Sequence, residues 1–484
     1  MRNASGARIF FYGLFLLALS FFAGCANFTP TPSAAVAPTL TGNQARKTRQ
    51  AEGTATPRNI ATVLARAPNE SGVPVLAHGP LAGAVTFDRA KIWVQTHAQA
   101  NVQVRYSTQP DLADAKLSDA TSTDPDQNFT AQIELNNLKS SAAYYYDILV
   151  DGASQLRAPY ARFKTFPQPG ETRDFTFVQL TDFSASPELT AQTFAHADNE
   201  NPDFVIIGGD FPHGKLSDLE SKRVNFELMY DTRTSPSIAD FVTRILRRYA
   251  VAHMWDDHDY GMNNGDKTYP LKATSLRVLR EMFPTYAMTQ YGDWQKFSYA
   301  QADFFMLDSR SQRDPNTLPD GPEKSMLDGD NLGTAGQLEW LKQGLQQSTA
   351  QWKFIISPVI FNQTAKLDDG WAAFAREHDD IVKFARDNQI TGIIVLSGDL
   401  HAGGIDDGTH SGFPEMVNNG PNGGGCLSGN PGQWSAGMYA SESGPCNGYG
   451  VVHVLTNPPR VELQVKDDAG RTRASLIVPL EMTK

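Results

Sequence analysis

Residues 249–266 read YAVAHMWDDHDYGMNNGD, an apolar run that breaks directly into three aspartates and a histidine and then turns through glycine and asparagine. Apolar residues without alternation over such a length predict a strand buried on both faces, as in a sheet covered by helices. The acids that end it, Asp256, Asp257 and Asp259 with His258 among them, then lie at the strand's carboxyl end, where sheets of this class bind ligands. Outward from this stretch the pattern repeats. DFTFVQL (174–180) leads to Asp182, DFVIIGG (203–209) to Asp210, DFFML (303–307) to Asp308 and GIIVLSG (392–398) to Asp399 and His401, while WKFIIS (352–357) has no carboxylate directly after it. Amphipathic helices fall between the runs, among them 237–250 and 334–347, the latter with Thr334 and Gln337 at capping-box spacing. This alternation predicts an α/β (α+β) sheet core flanked by helices over residues 168–484.

Acids that converge at strand ends repel one another unless a cation sits among them. Several Asp with a few His or Asn suit two metal ions bridged by one shared carboxylate. Any one of these aspartates alone reads as a helix cap or turn former. Asp308 fits that role best, or an ion pair with Arg310. Five runs ending alike, with His401 two residues after Asp399 and His258 amid three acids, favour metal. Isolated histidines such as His97, His196 and His378 read as structural.

The flanks differ in character. Residues 71–167 carry short alternating runs, AKIWVQT (90–96), NVQVRYS (101–107), TAQIEL (130–135) and AYYYDILV (143–150), which predict a small immunoglobulin- or fibronectin-like β-sandwich. Residues 26–70 are rich in Thr, Pro, Ala and Gln without apolar periodicity and read as a disordered tether. Residues 1–25 combine Arg2 and Arg8, an apolar run from Ile9 to Phe22 and a closing Ala23-Gly24-Cys25, a signal peptide ending in a lipobox-like motif. The apolar run is short for a membrane span. Export follows, with a lipid on Cys25 anchoring the chain to a bacterial cell envelope, at the outer membrane facing the periplasm or the cell surface. Cys426 and Cys446 remain in an oxidising compartment, where a disulfide closing a Gly-rich loop competes with two free thiols and, more weakly without CxxC spacing, with metal-binding ones. The strands after Gly448, GVVHVL and RVELQVKD, are expected to complete a second packed sheet.

A net charge of −11 with pI near 5.4 over 484 residues argues against nucleic-acid binding, which calls for clustered Lys and Arg.

GGDFPHG, WDDHDYGMNNGD, LDSR, GQLEWLKQGL and SGDLH, in that order, resemble the alkaline phosphatase D (PhoD-like) family of metallophosphoesterases, and AHGPLAGAVTFDRAKIWVQT resembles the start of that family's N-terminal sandwich. The resemblance implies hydrolysis of a small phosphate ester by a metal-bridging hydroxide, with two or more ions of calcium, manganese, zinc or iron. It implies Asp182, Asp210, His213, Asp257, Asn263, Asp399 and His401 as metal ligands, Asp210 bridging. Asp257 stands where related phosphoesterases carry an Asn ligand, and Asn263 near this family's amide ligand. The family's ferric site has Cys and Tyr where this chain has Ala185 and His213, and imidazole favours zinc, manganese or ferrous iron over the ferric ion. His258 is the candidate to bind the phosphoryl group or protonate the leaving oxygen, or else to orient Asp257; Arg310 is the candidate to hold a phosphate oxygen, or else pairs with Asp308. Trp434 and Tyr439, in the Gly-rich segment 418–447, are placed on the pocket rim. A phospholipase-type phosphodiesterase and a non-catalytic metal- or phosphate-binding surface lipoprotein are the alternatives, and the sequence leaves oligomeric state and the choice between monoester and diester open.

Overall fold

Side chains of a strand point alternately to its two faces, and here both faces find apolar partners. In Phe204–Ile207, Phe204 and Ile206 enter one core while Val205 and Ile207 enter another. In Trp352–Ser357, Phe354 and Ile356 join that first core and Ile355 a third. The computed structural model describes residues 75–186, 192–214, 218–423, 431–440 and 446–483. Two large mixed sheets pack face to face across the shared core, where Phe177, Phe204, Phe304 and Phe354 interlock with ring centroids 4.9–5.5 Å apart. Helices cover each outer face, so the body is layered α/β/β/α. Leu219–Tyr230 and Lys272–Met282 lie over one sheet, Gln337–Gln347 and Ala375–Asp387 over the other.

In the first sheet Phe175–Leu180, Phe204–Ile207 and Ala250–His253 run parallel. Ala302–Met306, Trp352–Ser357 and Ile393–Ser397 do so in the second. Each strand falls within one residue of its predicted start, and its carboxyl end meets the same rim of the molecule as its neighbours'.

The flanking strands depart from expectation. Gly448–Thr456 pairs antiparallel with Phe175–Leu180, and Pro459–Asp467 follows it, so both extend the first sheet. The second sheet is built instead from strands between Gln295 and Tyr439. At the other end, Leu76–Gly83 pairs in parallel with Ala250–His253 through Ala82↔Ala250 and Gly83↔Val251. Residues 76–164 do form two packed sheets, one around Asn101–Ser107 and Ala143–Val150. The other, Leu76–Gly83 with Ala90–Thr96 and Thr130–Leu135, is continuous with the first large sheet.

The helix expected over 237–250 is a short α-helix, Pro236–Asp240, running into a π-helical turn, Phe241–Leu246. The expected capping box at Thr334 is absent, because Gln337 turns inward and exchanges two 2.7 Å hydrogen bonds with the backbone of Asp308. Among the described residues no helix is long and apolar enough to cross a membrane; residues 1–70 and Cys426 lie outside them. Cys446 is disulfide-bonded.

Candidate metal centre

The loops after the strands turn more sharply than a regular helix start requires. Asp182, Asp210, Asp399 and His401 all have left-handed backbone, with φ of 59°, 55°, 67° and 57°. Such values cost about 1–3 kcal/mol each for residues with a side chain and cluster at functional sites. Gly209 precedes Asp210 at φ 107°, and a Cβ there would lie 2.7 Å from that of Asp256. Only glycine lets the second and third loops approach so closely.

The strain aims side chains at one point. Asp210 belongs to three groups able to hold a cation: with Asp182, His213 and His401; with Asp257 and His258; and with Asp256 and Asp399. Ligand atoms within each group lie inside 4.8 Å of one another. His213 Nε2 is 3.1 Å from Asp210 Oδ2, and its ring centroid is 4.2 Å from that of His258 and 5.0 Å from that of His401. His401 Nε2 is 3.5 Å from Asp182 Oδ1. The backbone N–H of His258, at the start of the short helix Asp257–Tyr260, donates to Asp210 Oδ1 at 3.1 Å.

Burial sets the charges. It pushes the Asp182 carboxyl up to about 6, with nearby Asp210 adding to the effect. It pushes Asp399 up to about 8 despite Lys366 beside it. Burial would also raise Asp210, but His213 and His258 hold it well below the usual carboxylate range. Burial alone would lower His213, yet Asp210 and Asp182 raise it to about 10, while His401, buried beside that charge, falls to about 3. A proton on His213 thus occupies the place between two carboxylates that a cation would take.

The residues fit metal on a second ground. Asp182 Oδ1, Asp257 Oδ1 and Asp399 Oδ2 are buried with no hydrogen-bond partner, and Asp210 Oδ2 and His213 Nε2 have only each other. Three orphaned carboxylate oxygens in one place would be costly without a cation. Asp182, Asp210, His213, Asp257, Asp399 and His401 are therefore brought together as the sequence suggested. Asn263 is not: it is exposed, and its amide donates to Asn264 Oδ1 at 2.6 Å. The backbone of Asn264, one residue on, reaches Asp257 Oδ2 instead, at 2.6 Å.

Arg310 is corrected more fully. Its guanidinium is completely buried, clamped by both oxygens of Asp256 and by Asp369 at 3.1 and 3.3 Å. Four of its five N–H groups are spent on these carboxylates and none of the side chain meets solvent, which places it behind the acids and away from an incoming phosphate. Nor does it pair with the Asp308 side chain, which accepts from the Trp255 indole and the backbone N–H groups of Asp293, Arg310 and Ser311. On the rim, Trp434 packs with Ile360, Ala365 and Leu400 beside the centre, whereas Tyr439 faces Arg473 at 5.0 Å.

Sequence reasoning missed Lys366 and Asp369. They come from the loop after Trp352–Ser357, the run with no carboxylate directly behind it, and bend back to Asp399 and Arg310. The string KLDDG at 366–370 was the available signal.

Residues 185–418 match the family model described as PhoD-like phosphatase, and residues 73–168 match a domain of unknown function, DUF7800. The chain is 23% identical over 325 residues to "Alkaline phosphatase D" of Bacillus subtilis (strain 168), covering 57% of this chain and 54% of that protein. It thus spans about half the length of the curated relative it matches. Of solved structures, "Structure of PhoD" superposes with a TM-score of 0.68 at 17% identity over 86% of this chain and 92% of that one. The purple acid phosphatase PPD1 isolated from yellow lupin (Lupinus luteus) seeds does so with a TM-score of 0.58 at 13% identity, over 84% and 74%.

Proposed function

We propose that this chain, which belongs to the PhoD-like phosphatase family, is a metal-dependent phosphoric ester hydrolase whose centre is organised around Asp210. The observation that carries this reading is that one buried carboxylate is shared by every cation-capable group at the rim. Two ions fit best, both on Asp210: one with Asp182, His213 and His401, the other with Asp257 and Asp399, leaving the His258 imidazole free of metal. Such ions, when bound, supply Lewis acidity and make a water-derived nucleophile available near neutral pH.

The chain's own residues supply the rest. His258 is partly exposed, 23% by side chain, and anchored through its N–H on Asp210. Its imidazole, 4.2 Å from that of His213 and partly open to solvent, can hold a proton for the leaving oxygen. A groove of about 590 Å³ is lined by Asn264, whose N–H reaches Asp257, and by Leu367, next to Lys366, and could take the alcohol portion of a small ester. A non-catalytic lipoprotein with a decayed site fits less well, since the candidate ligands still gather around one shared acid with carboxylate oxygens left uncapped.

Purified protein is expected to hydrolyse p-nitrophenyl phosphate, to lose activity to a chelator, and to regain it with manganese, zinc, cobalt or calcium rather than ferric iron. It is expected to be colourless, because His213 and Ala185 replace the phenolate and thiolate that resemblance assigns to a ferric site. Absence of metal-dependent turnover on both the monoester and its bis-ester refutes the reading. Stoichiometric ferric iron with a strong visible band refutes the metal assignment.

Residues 71–167 complete the proposal as an immunoglobulin- or fibronectin-like module, and Cys25 as a lipidated residue that places the enzyme on the bacterial envelope. Cys25→Ser is expected to release the protein from membranes or to leave its precursor unprocessed, as read by fractionation and mass spectrometry. Unchanged membrane association would exclude the anchor.

A further inference from the structure

The loop KLDDG at 366–370 makes a tight turn. Asp369 and Gly370 both donate their N–H groups to the Lys366 carbonyl, at 3.1 and 2.8 Å, and Lys366 itself has left-handed backbone at φ 41°. A long side chain held on such a turn starts from a fixed point. Its ammonium ion-pairs with Asp399 Oδ1, while Asp399 Oδ2 has no hydrogen-bond partner.

Two cations face the carboxylates from this side of the centre, and they differ in one respect. Arg310 is fully buried and held at every arm by Asp256 and Asp369. Lys366 makes one ion pair and keeps 22% of its side chain exposed. Among the described residues it is the one Lys or Arg that touches both the metal-capable acids and solvent. The residue after it, Leu367, lines the groove.

We propose that Lys366 is a substrate-contacting residue whose ammonium binds a non-bridging phosphoryl oxygen and tilts the centre toward doubly charged phosphate monoesters over singly charged diesters. The proposal rests on the hydrolytic reading above. With Asp399 engaged in holding a cation, the Lys366 ammonium would lose its counter-charge, and its flexible four-carbon stem and partly exposed side chain leave it free to turn. An anion on the centre then becomes its nearest counter-charge. The attraction scales with that anion's charge, so a dianion gains about twice what a monoanion gains.

The test uses metal-loaded full chain and the variants Lys366→Met and Lys366→Arg. KM and kcat are measured for p-nitrophenyl phosphate and bis(p-nitrophenyl) phosphate, metal content by emission spectrometry, and inorganic phosphate binding by calorimetry. Lys366→Met is expected to raise KM for the monoester about tenfold and for the diester no more than about threefold, with wild-type metal content. Lys366→Arg is expected to recover most of the monoester KM, showing that charge rather than folding is at issue. Equal changes for the two substrates, or altered metal content with the KM ratio preserved, would show a mere counter-charge to Asp399 and overturn the proposal. If the wild type proves inactive on both esters, the functional reading falls by itself. The phosphate titration then decides the lysine: weaker binding by Lys366→Met supports the contact, and equal binding rejects it.

Discussion

Asp210→Ala is expected to lower turnover by about a thousandfold or more and to strip both metal ions from an otherwise folded chain. Losing a residue behind a metal ligand typically costs about 10–100-fold. Asp210 is shared by all the cation-capable groups, so its removal dissolves the centre instead of loosening it. It also leaves His213 without its 3.1 Å neighbour and the His258 N–H without its acceptor. Folding should survive, because methyl in place of carboxylate relieves the repulsion on Asp182. Metal analysis and steady-state kinetics read the outcome together. Ordinary turnover, or loss of one ion with retention of the other, would show that Asp210 does not bridge.

Arg310→Met is expected to act on stability first. The guanidinium neutralises Asp256 and Asp369 with no exposure to water. Removing one member of a buried ionic network leaves the others uncompensated and costs about 3–5 kcal/mol. Part of the cost returns if Asp256 takes up a proton, a step its burial already favours. Urea unfolding checks this directly. A loss below about 1 kcal/mol would mean that water or a metal ion compensates the acids. Activity should fall as well, since Asp257 and Asp399 lie 3.9 and 4.0 Å from the same guanidinium and lose their backing charge.

Much of the centre was readable because its residues follow their strands closely. Asp182 lies two positions beyond Leu180 and Asp399 two beyond Ser397, so strand direction alone delivers them to the rim. Lys366 lies nine positions beyond Ser357 and returns through a turn. No local pattern says where such a loop ends. Arg310 was found but misassigned, since its place near the acids follows from sequence while its burial depends on Asp369, which arrives from another loop. The terminal strands show a similar limit: alternating apolar residues in 450–467 predict a sheet edge equally well for either of two packed sheets. Gly448–Thr456 takes the edge of Phe175–Leu180 in the first sheet, while in the second Pro414–Val417 already lies beside Ile393–Ser397.

The left-handed conformation at positions 182, 210, 399 and 401 bears on how such a centre can change over evolutionary time. Aspartate and asparagine are among the few residues other than glycine that tolerate this backbone. At 182, 210 and 399 the main chain therefore narrows the acceptable replacements nearly as much as the chemistry does, and a lineage cannot wander there without rebuilding a loop. Ala185 and His213 have no such conformation. A descendant can exchange residues at those two places by single substitutions. The geometry thus separates a conformationally fixed frame of carboxylates from neighbours that are free to vary, and under the proposed function those neighbours are where a change of metal preference would arise.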